Sequence, residues 1–285
     1  MKYLFIAMAI CWSSVSYSQS NDSIATEIFL NRELFKKISI DSNFINSIEY
    51  TPDGFILLSS RNQFYLLGIG GIDSVFNGWN SKTNIGSFTI TADSILVVVS
   101  GNTLYQAYSD PPFIKVTDIP DSDMGITSKY KDIYVFDRTL KSNKKDYSIY
   151  QISEKGIIPI VTTSTPILSV FELPSVLIFS IENMLFCVDI KTKNVYQMLA
   201  LPQEDNIISI VSDTINHAFY FSTHNAIYRI KENKIEMVSE DLGGILKYDV
   251  EGLLIFSPEK QIIIRLRNNL LYPLTDNIGI LIDKK

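Results

Sequence analysis

His217 and His224 are the only imidazoles in this 285-residue chain. Imidazole is the usual general base near neutral pH and a frequent zinc ligand, so their placement limits the chemistry available. They flank one short apolar segment, Ala218–Phe221. In an extended strand that separation is roughly 23 Å, so they cannot share a metal ion, which argues against a His-ligated zinc site, and so small a supply of imidazoles weakens a Ser–His–Asp reading. His224 reads as an exposed turn residue. Hard oxygen donors are better represented: Glu49, Asn84, Asp205, Asn206 and Asp249 each lie at or near the edge of an apolar segment. Such donors suit Ca²⁺, and Asp and Asn equally open and close turns. Cys187 sits in the apolar run Leu185–Val188, with no His or Asp placed to activate it, and reads as a buried small hydrophobe. Gly68-Ile69-Gly70-Gly71 is glycine-rich, but no helical pattern follows, and a phosphate cradle needs that helix start. It reads as a turn. The chemistry-bearing residues therefore name no reaction.

The elements that must position these residues repeat about every 40 residues. Ser60-Arg61-Asn62-Gln63-Phe64-Tyr65 returns as Ser100-Gly101-Asn102-Thr103-Leu104-Tyr105, then as Ile181-Glu182-Asn183-Met184-Leu185-Phe186 and Thr223-His224-Asn225-Ala226-Ile227-Tyr228. A serine recurs at Ser47, Ser87, Ser128, Ser169 and Ser209, with spacings of 40, 41, 41 and 40 residues. A β-rich repeat of this length predicts the blades of a propeller, four strands to a blade. The serine marks the first and innermost strand, where crowding at the axis favours a small residue. The second strands are continuous apolar runs: Phe55–Leu58, Ile95–Val99, Ile133–Phe136, Val176–Phe179, Ala218–Phe221 and Leu253–Phe256. Such runs fit strands buried on both faces. Asn62, Asn102, Asn183 and Asn225 then fall in the hairpin after the second strand, where they are expected to supply the positive φ that tight turns require. The third strands carry Tyr65, Tyr105, Tyr150, Phe186 and Tyr228, with Ile264 in the sixth copy. The fourth strands are more polar, as outer edges should be.

The loops between blades and the hairpins after each second strand share one face of a propeller. That topology makes Asn43, Arg61, Asn84, Asp123, Lys141, Lys144, Lys145, Asp205, Asn206 and His224 the candidate ligand-face residues. The third repeat departs from the others there. Its hairpin, Arg138 to Asp146, is longer by about five residues and has a basic tip, and an extended loop on a repeat scaffold is a common place for binding to be added.

The first 18 residues read as a secretory signal peptide: Lys2, an apolar stretch from Tyr3 to Trp12 that is short for a bilayer span, then small polar residues with cleavage after Ser18. Residues 19–285 form a single domain with no membrane span. Cleavage would change the formal charge from −6 to −7 and leave Cys187 as the only thiol. An acidic exported chain is a poor nucleic-acid binder, since that needs a basic stripe. The segment Thr26–Ile38 resembles a third and fourth strand, and Asp276–Leu281 resembles the start of an inner strand. Seven blades are therefore expected, six complete and one composite of both ends, with a six-bladed ring as the alternative.

The period, the strand order and the turn Tyr50-Thr51-Pro52-Asp53-Gly54 resemble the secreted and periplasmic β-propeller superfamily, including its NHL-like and YVTN-like groups. That resemblance implies the all-β propeller fold over nearly the whole mature chain and leaves activity open. The resulting expectation is a non-enzymatic periplasmic or extracellular binding or scaffold module, without a cofactor, for a protein or cell-envelope partner. The alternative is a Ca²⁺-dependent lactonase- or lyase-like hydrolase with its site at the propeller axis.

Overall fold

The computed structural model describes residues 36–39, 45–60, 62–68, 71–76, 79, 84–108, 112–130, 132–202, 205–249, 251–260, 262–267, 270–274 and 280–283. The expected leader, Asn43 and Arg61 lie outside them. Six four-stranded antiparallel sheets follow one another along the chain. Blade 1 contains β2 (Ser47–Tyr50), β3 (Ile56–Ser59), β4 (Phe64–Gly68) and β5 (Gly71–Val75), each strand pairing with the next. Blade 2 contains β6 (Ile85–Ile90) to β9 (Ile114–Asp118), and blade 3 contains β10 (Gly125–Thr127), β11 (Ile133–Phe136), β12 (Tyr147–Ser153) and β13 (Gly156–Thr163). Blade 4 runs from β14 (Ser169–Glu172) to β17 (Val195–Ala200), blade 5 from β18 (Ser209–Asp213) to β21 (Lys234–Ser239), and blade 6 from β22 (Ile245–Asp249) to β25 (Leu270–Pro273).

The inner strands β2, β6, β10, β14, β18 and β22 touch in sequence, and β22 touches β2. The ring therefore closes with six blades, the smaller of the two expected numbers. Packing gives the physical reason. Each seam between neighbouring blades holds its own apolar cluster, and the seam between blades 6 and 1 joins Leu254 and Phe256 to Ile48 and Leu58. That contact leaves no gap for a seventh blade. The chain ends do pair, β1 (Lys36–Ser39) antiparallel to β26 (Ile280–Asp283). They form a two-stranded sheet whose β26 lies beside the outer strand β5.

The second strands are buried as their apolar runs predict. In β3, β7 (Leu96–Ser100) and β15 (Val176–Ile181) every residue is buried, because each strand is sandwiched between two neighbouring blades. Burying one Leu, Ile or Phe side chain contributes about 1.5–3 kcal/mol, and every seam is built of several. Cys187 is buried in the cluster between blades 4 and 5, as a small hydrophobe would be.

Two details differ from the sequence reading. In the hairpins Gly101-Asn102 and Glu182-Asn183 the positive φ falls on the first residue, Gly101 at 56° and Glu182 at 51°, and not on the asparagine. Asparagine instead fastens the hairpin to the segment leaving the outer strand. The Asn183 side chain donates to the Leu201 carbonyl at 2.7 Å, the Leu201 N–H donates to the Asn183 carbonyl at 2.9 Å, and the Ile119 N–H donates to the Asn102 carbonyl at 2.8 Å. The recurring third-strand aromatic has a further role. At Tyr105, Tyr150, Phe186 and Tyr228 the pairing with the outer strand shifts register, a β-bulge that bends and twists the blade edge. Blade 6, with Ile264 there, and blade 1, with Tyr65, pair without a shift.

Candidate functional site

The inner strands surround a central channel of about 300 Å³. All six contribute to its wall, and the recurring serines Ser47, Ser87, Ser128, Ser169 and Ser209 line it. Two of these serines bridge neighbouring blades. Ser87 Oγ donates to the Met124 carbonyl at 2.7 Å, and Ser209 Oγ accepts the Leu246 N–H at 2.9 Å. Small size suits all five positions, and at Ser87 and Ser209 a hydrogen bond across the seam adds to it. Gly125 has no side chain for a related reason. A Cβ there would lie 2.3 Å from Cζ of Phe136, whose ring covers it.

Strand order sets the two ends of the channel. Inner strands start at the face that carries the inter-blade loops and second-strand hairpins, and they end at the opposite face. Near the opposite face, Lys247 Nζ donates to Glu49 Oε2 at 2.6 Å, and Thr89 Oγ1 donates to the same oxygen at 3.4 Å. Lys129, just beyond β10, reaches across to Ser212 Oγ at 3.3 Å and lies over the Phe171 ring at 4.8 Å. Burial lowers its pKa, nearby Lys247 lowers it further, and Glu49 opposes both. At the loop-face end, Arg138 donates to the Gly86 carbonyl at 2.8 Å and to the Asp123 carbonyl at 3.1 Å.

The five oxygen donors considered for Ca²⁺ are divided between these ends. Asn84, Asp205 and Asn206 precede inner strands on the loop face, whereas Glu49 and Asp249 lie where inner strands finish. The length of a five-residue strand, roughly 17 Å, separates the two groups. Glu49 is tied to Lys247. Asp249 caps a turn, its Oδ1 accepting the Glu251 N–H at 2.8 Å, and it lies beside Tyr50 and Arg265 at the seam between blades 6 and 1. Burial raises its pKa. Among the described residues no three His, Cys, Asp or Glu side chains are grouped to hold a metal ion.

On the loop face, Asn84 and Asn206 are exposed and Asp205 is half-buried. His224, also exposed, has Nδ1 3.4 Å from Glu259 Oε1. His217 begins β19 (Ala218–Ser222) from the opposite face, so one strand separates the two imidazoles as the spacing requires. Lys141 and Lys144 are brought together, and with them two residues that the sequence reading did not single out. Lys141 pairs with Asp121, while Lys144 Nζ lies 2.8 Å from Asp121 Oδ2 and 2.6 Å from Asp137 Oδ1. Asp121 is in the loop from blade 2, and Asp137 is buried at the base of the hairpin. Burial alone raises the Asp121 pKa, but hydrogen bonds from Lys141 and Lys144 bring it down to about 2. The Asp137 carboxylate also accepts the Ser148 N–H at 2.9 Å. The Tyr147 hydroxyl accepts the Lys141 N–H at 3.2 Å. The long hairpin is thus folded back and pinned at both sides. Lys145 stays exposed on the hairpin, as does Leu140, which is 76% exposed. A signal for the network was present in sequence: Asp137 replaces the hydroxyl residue that Ser60, Ser100 and Thr223 supply in other repeats.

No protein-family description and no curated protein matches the chain. Solved structures do match it. Virginiamycin B lyase from Staphylococcus aureus, in an inactive form with quinupristin, superposes with a TM-score of 0.60 at 15% identity, covering 84% of this chain and 87% of the lyase. A mitotic checkpoint complex chain gives 0.58 at 10% identity, over 85% and 81%. The extracellular domain of BT4673, a proposed one component system of B. thetaiotaomicron, gives 0.52 at 12% identity over 79% of this chain. The chain spans about two fifths of that domain, 39% of its length. These likenesses establish the β-propeller fold.

Proposed function

We propose that this propeller is an exported, non-enzymatic binding module that engages a protein or cell-envelope partner through its loop face. The observation that carries the reading is the pinned third-repeat hairpin. Four charged groups and Tyr147 hold it in one shape, and at its tip stands Leu140, a large apolar side chain left mostly exposed. A loop already fixed in shape loses less conformational entropy when a partner docks, and an exposed apolar anchor gains by desolvation. The lysines identified from sequence serve this loop chiefly as its internal ties. Lys145 remains for the rim of the contact.

The structural neighbours include an extracellular sensor domain and a lyase, so the fold accommodates both binding and catalysis. The division of Glu49 and Asp249 from Asn84, Asp205 and Asn206 favours binding here. Export rests on the leader read in residues 1–18, and the extracellular placement of the sensor domain accords with it.

A photo-crosslinking residue at position 140, compared with the same residue at position 215 on the opposite face, tests the reading in intact cells. One partner captured from position 140 alone supports it. Equal labelling from both positions, or a chelator-sensitive turnover lost in Glu49→Gln, would overturn it. Fractionation and intact mass test export, with a mature chain starting at Gln19 as the expected product.

A further inference from the structure

The protein is acidic overall, yet its central channel is not. Of the four charged side chains that line it, Lys129, Arg138 and Lys247 are cationic and only Glu49 is anionic. Glu49 neutralises Lys247 through the 2.6 Å pair. Arg138 is spread over two backbone carbonyls at the loop-face end. Lys129 is left with a hydroxyl and a ring as neighbours, and among the described residues it has no carboxylate within ion-pair distance. An ammonium has three protons to donate, and a half-desolvated cation without a counter-charge is costly. The Ser128 hydroxyl next to it is buried in the channel wall, 6% exposed, and has no hydrogen-bond partner.

We propose that the channel binds a small organic monocarboxylate, with its carboxylate on Lys129 and its apolar body against Phe171. A single ammonium without an ion-pair partner among the described residues, with the Ser212 hydroxyl 3.3 Å away, matches one negative charge. A phosphate dianion carries a second negative charge that one ammonium does not match, and the Arg138 guanidinium, which could clamp it bidentately, is occupied by the Gly86 and Asp123 carbonyls. The channel volume suits a small ligand. Charge-assisted hydrogen bonds in such a site contribute about tenfold or more to affinity.

This inference rests on the channel and not on Leu140, so failure of the crosslinking experiment leaves it standing. The test is calorimetric titration of the full chain with benzoate, with neutral benzamide and inorganic phosphate as contrasts. Benzoate is expected to bind at least about tenfold more tightly than either. Lys129→Met is expected to lose that margin, and Lys234→Met, at the exposed start of the outer strand β21, to keep it. Nuclear Overhauser contacts from the benzoate ring to Phe171 in the wild-type protein need no variant, so misfolding of Lys129→Met would not remove the test. Benzamide or phosphate binding as well as benzoate, undiminished binding by Lys129→Met, ring contacts elsewhere, or no heat and no contacts at millimolar benzoate would each overturn the proposal.

Discussion

Lys144 Nζ lies 2.6 Å from Asp137 Oδ1, and the pair occupies a position where other blades use a buried hydroxyl. Ser60, Ser100, Thr223 and Ser257 stand at the ends of their second strands, and each is buried. Their hydroxyls tie the chain locally. Thr223 Oγ1 accepts the Ala226 N–H at 3.0 Å, and Ser100 Oγ donates to the Asn84 carbonyl at 2.9 Å. Blade 3 replaces this neutral tie with a carboxylate, and a carboxylate so deeply buried requires a cation. The longer hairpin brings that cation back. Insertion and charge substitution are therefore one structural unit.

Removing only the cation should be costly. Lys144→Met is expected to destabilise the fold by about 2–4 kcal/mol, because the Asp137 carboxylate stays buried without its partner. The double variant Asp137→Ser with Lys144→Met should recover more than half of that loss by restoring the tie used elsewhere in the ring. Denaturant unfolding of the two single variants and the double variant gives the coupling.

Acid should loosen the same hairpin. Asp121 has a folded pKa of about 2, held down by Lys141 and Lys144 against the effect of burial, compared with about 3.9 for an unfolded aspartate. A depressed carboxylate stabilises the fold fully above its unfolded value and loses that contribution as pH falls through the folded one. Melting temperature should therefore fall between about pH 4 and pH 2, and less steeply in Asp121→Asn. Equal slopes in wild type and variant would show that this carboxylate is not a contributor.

Crowding at the axis predicts the effect of a single methyl group. Gly125→Ala would place its Cβ 2.3 Å from the Phe136 ring, at an expected cost of about 1–3 kcal/mol for overpacking. Phe136→Leu in the same chain should recover part of it. Thermal unfolding of the single and double variants checks the compensation.

The inner serines should matter beyond their size. Ser209→Ala leaves the buried Leu246 N–H without the acceptor it now has at 2.9 Å, with an expected loss of about 1–3 kcal/mol. Hydrogen exchange at Leu246 should accelerate in the variant, while exchange at Met124, whose carbonyl accepts from Ser87, stays unchanged.

Leu140→Asp should leave stability within about 0.5 kcal/mol of wild type, because the side chain is mostly exposed. It should abolish partner capture if the loop face is the contact surface. Unfolding, together with the yield from a crosslinking residue placed at the exposed position 145 of the same hairpin, separates a binding effect from a folding effect.

The 40-residue period, the apolar second strands and the recurring inner serines were legible in sequence because each depends on local pattern: alternation, turn chemistry and spacing. They placed the inner strands, the hairpins and the face on which Lys141, Lys144 and His224 stand. The number of blades in the ring was not local. Two terminal segments that resemble strands allow a seventh blade on paper, and only the packing of Leu254 and Phe256 against Ile48 and Leu58 closes the ring at six. The site follows the same division. Sequence identified a basic hairpin, whereas tertiary structure turned its lysines inward onto Asp137 at its base and onto Asp121 in the preceding inter-blade loop, and left Leu140 outside. It also brought Lys129, Glu49 and Lys247 to one axis from blades 3, 1 and 6. Coulomb energy depends on distance and desolvation, and both are set by the closure of the ring.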